Sequence, residues 1–82
     1  MELGQRLRML RKRCGKSIYE LSKISGLDPG FIGRIEQGAR GASRETVLRL
    51  GLALVHASNA ITLHDIDELL LDAGFAPLVR AS

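Results

Sequence analysis

Three residues, Gly26, Leu27 and Asp28, separate two short stretches that each carry their own helix start and stop. This spacing constrains the fold more than any other feature of the chain. In the first stretch Ser17 and Glu20 have the spacing of a capping box, Leu21 and Ile24 are apolar, and Gly26 supplies the stop. In the second, Asp28 suits the N-cap and Pro29 the first helical position, where no backbone donor is needed. Phe31, Ile32 and Ile35 follow, and Gly38 ends the helix. Two helices of about two turns with so short a connection cross at a steep angle and leave the second one exposed. Counting from Ile18, Leu21 is a core position, Ser22 a small residue where the helices approach, and Leu27, Ile32 and Ile35 close the underside.

The flanks read as helices too. Leu3, Leu7, Leu10 and Cys14 form one helical stripe, ringed by Arg6, Arg8, Arg11, Lys12 and Arg13 and stopped by Gly15. Beyond a small-residue loop, Ser43 caps "RETVLRLGLALV", apolar on most sides and expected to be the most buried element. Thr62 and Asp65 form a second box, with Ile66, Leu69, Leu70 and Ala73 on one face, Gly74 as the stop and "FAPLVRAS" as a tail. With no Trp, one Tyr and two Phe, aliphatic helices are favoured over strands. The expected fold is an all-α, compact five-helix bundle: residues 1–60 form the core, and residues 61–82 a C-terminal helix and tail of the same domain.

Composition narrows the function. The single cysteine, Cys14, excludes an internal disulfide, which fits a reducing, cytoplasmic setting. No run approaches the roughly 18 apolar residues of a membrane span, and the basic start has no signal-peptide core. His56 and His64 lack metal-ligand spacing, so no metal or other cofactor is expected. No nucleophile-base grouping or phosphate loop is present, which argues against an enzyme, and no small-molecule ligand is evident. Residues 1–49 hold 11 Lys or Arg against 5 Asp or Glu, and residues 50–82 hold 1 against 4. A basic front half makes a polyanion its leading partner, and the two short capped helices within it have the spacing of a helix-turn-helix.

Residues 3–54, from "LGQRLRMLRKRCGKS" through "RIEQG" to "ETVLRLGLAL", resemble the phage-repressor and Cro-like helix-turn-helix family of bacterial regulators. The match follows the family frame L..LR...G.S...LA..G.....I..IE.G......ET...L...L. "DIDELLLDAGFAPL" also resembles the segment that follows this domain in many members. The resemblance implies a homodimer on double-stranded DNA, with the third helix in the major groove of a pseudo-palindromic operator. Residue by residue, it places Asp28, Pro29, Gly30, Phe31, Gly33 and Arg34 toward bases. It places Ser17, Ile18 and Tyr19, together with Gln37, Arg40, Ser43 and Arg44, toward phosphates. It also implies a buried structural ion pair between Arg11 and Glu36. The chain departs from the family at Ile18, where members often carry a Gln that bonds a phosphate and braces the reader helix. Pro29, Gly30 and Gly33 likewise remove side chains from places where repressors read bases.

Arg34 is the one long polar side chain in the middle of the third helix, and its fork matches guanine O6 and N7. Phe31 can meet a thymine methyl or pack against the second helix. Leu71, Phe75, Leu78 and Val79 lie off the inner face of the last helix, an apolar patch of the kind that forms a two-fold dimer interface. The alternative to a DNA-reading repressor is a protein-interaction module, such as an antitoxin or accessory subunit, in which the stripped third helix binds protein.

Overall fold

Capping chemistry places the helices where the sequence puts them. The computed structural model describes residues 1–79, and these form α1 (Leu3–Arg13), α2 (Ile18–Ser25), α3 (Pro29–Glu36), α4 (Arg44–Ala57) and α5 (Leu63–Asp72), with no strand among the described residues. Ser17 Oγ accepts from the Glu20 N–H at 3.0 Å while Glu20 Oε1 accepts from the Ser17 N–H at 3.0 Å, so both halves of the first capping box are made. Asp28, Ser43 and Thr62 cap α3, α4 and α5 in the same way, and Pro29 takes the first turn of α3. Gly26 closes α2 with φ +75°, a left-handed conformation that allows the sharp turn into α3.

One core joins all five helices. Leu7 and Leu10 of α1, Leu21 of α2, Ile32 and Ile35 of α3, Val47, Leu50 and Leu54 of α4, and Ile66, Leu69 and Leu70 of α5 are each at most 1% exposed. Full burial of side chains of this size contributes about 1.5–3 kcal/mol apiece. α4 packs on α2 and α5, and α1 packs on α3 and α5, so the α2–α3 pair is held from both sides. α1 and α3 approach so closely at Gly4 that any side chain there would strike the Ile35 carbonyl and lie 2.6 Å from the Glu36 carbonyl oxygen.

The structure revises several expectations. Ile24 is 38% exposed, because the inner face of α2 runs through Leu21 to Ser25, which is buried in its place. Leu52 is 58% exposed, so α4 keeps one apolar side chain in solvent. Ile61, in the loop before α5, joins the core at 4% exposure without any periodic signal. The tail as far as Val79 is folded back. The Phe75 N–H donates to the Leu70 carbonyl, and Asp67, itself buried, accepts from the Leu78 and Val79 N–H groups at 2.6 and 3.3 Å. Residues 80–82 of the expected tail lie outside the described residues.

Candidate nucleic-acid interface

The crossing of α2 and α3 brings Ile18, at the start of α2, beside Gly33 of α3. Ser17, Ile18 and Tyr19 open α2, and Asp28, Pro29, Gly30 and Phe31 open α3. Asp28 is spent as a cap, its Oδ2 accepting from the Phe31 N–H at 3.0 Å. A methyl group on Gly30 would lie 3.0 Å from that carboxylate oxygen and 3.4 Å from Arg34 Nη1, so the exposed Arg34 side chain lies back along the helix across Gly30. In front of Gly33 a side chain would meet nothing closer than Ile18 Cδ1 at 4.0 Å. Packing within the chain therefore does not require glycine at that position.

The loop after α3 adds charge. Gln37 is the exposed C-cap of α3. Phe31 is half-buried against the core and carries the Arg40 guanidinium 4.9 Å above its ring, so its face is given to positioning a cation. Ser43 is spent on its cap: its hydroxyl accepts from the Thr46 N–H and donates to Thr46 Oγ1. The Arg44 Nη1 donates to the Ala76 carbonyl at 2.9 Å, which ties this loop to the folded-back tail and leaves the rest of its fork free. Lys23 lies 4.8 Å from the centroid of the exposed Tyr19 ring.

The expected pair between Arg11 and Glu36 is present and bidentate, with bonds of 2.7 and 2.9 Å, and a third guanidinium donor reaches the Lys16 carbonyl at 2.9 Å. Hydrogen bonding to Glu36 raises the Arg11 pKa above its ordinary value, against the opposing effect of burial. The pair fixes α1 to the end of α3 and so sets the angle between them. Much of the basic front half is consumed inside the fold. Arg6 pairs with Asp72 and with Glu68 at 3.3 Å, and Arg13 pairs with Asp65 at 3.3 Å, so the acidic α5 neutralises one side of α1. Burial disfavours the charged form of Asp65, yet hydrogen bonds from Thr62 and the charge of Arg13 outweigh it and lower its pKa. Among the described residues Arg8, Lys12, Lys23, Arg34, Arg40 and Arg44 have no carboxylate partner, and the open charge belongs to them.

A hollow of about 220 Å³ opens between these elements, lined by Arg8, Arg11, Ile18, Gly33, Glu36 and Gln37. A larger one of about 380 Å³ lies between the start of α1, the loop carrying Arg40 and the end of α5. Of its lining residues, Arg40 is stacked on Phe31 and Asp72 is held by Arg6. No group of three or more His, Cys, Asp or Glu among the described residues is placed to hold a metal.

The family model described as "Helix-turn-helix domain" matches residues 2–54, more than half of the chain. The chain belongs to this helix-turn-helix domain family. No curated protein and no solved structure matches it significantly. α2 and α3 are the two helices of the motif, and α3 holds the position of its second helix. No described helix is long and apolar enough to cross a membrane. Sequence reasoning did not single out Arg8, which lines the hollow beside Ile18 and Gly33. The basic run on α1 hid it until the carboxylate partners of Arg6, Arg11 and Arg13 were visible.

Leu71 is 52%, Leu78 43% and Val79 60% exposed, and Asp67 holds the tail beside α5. Phe75 differs from the expectation: it is half-buried against the bundle's own core and contributes little to an outward patch.

Proposed function

We propose that this helix-turn-helix domain is a sequence-specific transcriptional regulator, a repressor of the phage-repressor and Cro-like kind, which binds a pseudo-palindromic operator as a homodimer with α3 in the major groove. The observation that carries the reading is the open outer face of α3. Gly33 has no packing need to be glycine, and the exposed Arg34 and Arg40 flank the bare stretch. A helix that gives up about 1 kcal/mol of stability at an interior Gly gains close approach of its backbone to a ligand. In this reading Arg34 takes a guanine edge. Gln37, Arg40, Arg44, Tyr19 and the backbone of Ile18 at the start of α2 meet phosphates, fixing register without reading sequence, while Ser17 is spent on its cap. Asp28 and Ser43 act as caps that hold these elements in place. Leu71, Leu78 and Val79 join two copies and space the two α3 helices about 34 Å apart, one turn of DNA.

Salt dependence separates this reading from a protein-binding module. Each phosphate contact contributes about −0.9 to the slope of log affinity against log salt, so a dimer making six or more contacts loses affinity steeply. Fluorescence anisotropy on a labelled duplex measures this slope. Failure to bind duplex, or a slope near zero, overturns the reading.

A further inference from the structure

Ile18 opens α2 without a polar side-chain atom, at the place where the resembled family often bonds a phosphate. Its Cδ1 faces Gly33 across the hollow at 4.0 Å from where a Cβ would stand, so neither wall offers a side-chain donor there. The floor is the Arg11–Glu36 pair, whose opposite charges are matched by two hydrogen bonds and whose side chains are 11% and 5% exposed. The charge of the hollow is therefore set by its rim, where Arg8 comes from α1 and Gln37 from α3. Arg8 is exposed and has no carboxylate partner among the described residues, unlike Arg6, Arg11 and Arg13 of the same helix.

We propose that Arg8 supplies the DNA phosphate contact that Ile18 cannot, with a phosphate oxygen seated in the hollow between Arg8 and Gln37. α1 thereby becomes a third element on the DNA backbone. The inference rests on the DNA-binding reading above and adds a positioning residue to it, since a contact to phosphate fixes register without selecting bases.

The test measures affinity of the full chain for a mixed-sequence duplex two helical turns long, across a range of salt. Arg8→Ala lowers the steepness of the log–log slope by about one unit per bound chain, and Arg8→Lys keeps it. Arg49→Ala, on α4 and beside Glu45, leaves the slope unchanged. Ile18→Gln in the Arg8→Ala background restores the lost unit, a result that a merely solvated Arg8 does not produce. An unchanged melting midpoint for Arg8→Ala separates the effect from misfolding. If the unsubstituted chain binds with a steep slope and Arg8→Ala binds with the same slope, the assignment is overturned while DNA binding stands. A deficit that Ile18→Gln leaves untouched overturns the link to the hollow. If the unsubstituted chain does not bind, the DNA-binding reading falls and takes this assignment with it.

Discussion

Gly33 lowers the stability of α3 and fills no steric need inside the chain, which distinguishes it from the glycines that hold the fold. At Gly4 and Gly51 a side chain would collide with the neighbouring helix, at the Glu36 carbonyl and at Ile66 Cγ1, 3.0 Å away, respectively. At Gly26 the left-handed backbone requires glycine. At Gly33 the backbone is ordinary helix and a Cβ would meet only Ile18 Cδ1, at van der Waals distance, 4.0 Å. Gly33→Ala is therefore expected to stabilise the domain by about 0.5–1 kcal/mol, seen as a higher urea midpoint. The same substitution is expected to weaken duplex binding, because in the proposed reading the added methyl group lies on the face that approaches DNA. A variant that is more stable and binds DNA unchanged would remove the functional reason for this glycine. Arg34 is exposed with no carboxylate partner among the described residues, whereas Phe31 holds Arg40.

The helices show which interactions a linear sequence carries. Caps link a residue to one three positions on, so Ser17 with Glu20, Asp28 with the Phe31 N–H and Thr62 with Asp65 were all legible. The tie between α1 and α5 was not, since Arg6 meets a partner 66 residues away and Arg13 one 52 away. The hydrophobic pattern of α2 could not separate Ile24 from Ser25, because the choice depends on how α2 is rotated against α4. Asp67 gave no signal, as its partners are backbone amides of the tail. Asp65 makes the α1–α5 tie sensitive to pH. Its pKa is lowered in the folded chain, so the stability it contributes is complete above the ordinary carboxylate range near pH 4 and is lost as pH falls through the folded value. Urea midpoints for Asp65→Asn are expected to be lower at neutral pH and to fall less steeply on acidification than those of the unsubstituted chain. Parallel curves would show that Asp65 is not a source of this dependence.

Over the whole molecule, charge is divided into an inner and an outer set. The carboxylates of α5 pair with Arg6 and Arg13, and Glu36 pairs with Arg11, while of the cations left open Arg8 lies beside Ile18, Lys23 beside Tyr19, Arg34 across Gly30 and Arg40 over Phe31. A basic half in sequence thus becomes a smaller basic surface in space. The opposite role falls to Leu71, Leu78 and Val79, exposed apolar groups beside a tail held by Asp67 and Arg44. Leu71→Asp is expected to convert a dimer to a monomer in light scattering, and an unchanged mass counts against this interface. In the proposed reading α3 reads DNA, with Arg34 as its long reader. Selection of bound duplexes from a random pool, run in parallel on the unsubstituted chain and on Arg34→Ala, decides it. The expected result is an enriched pair of two-fold-related half-sites, with about 1–3 kcal/mol of preference lost at one base pair of each half on removal of Arg34. No enriched sequence, or the same sequence enriched by both proteins, would contradict it.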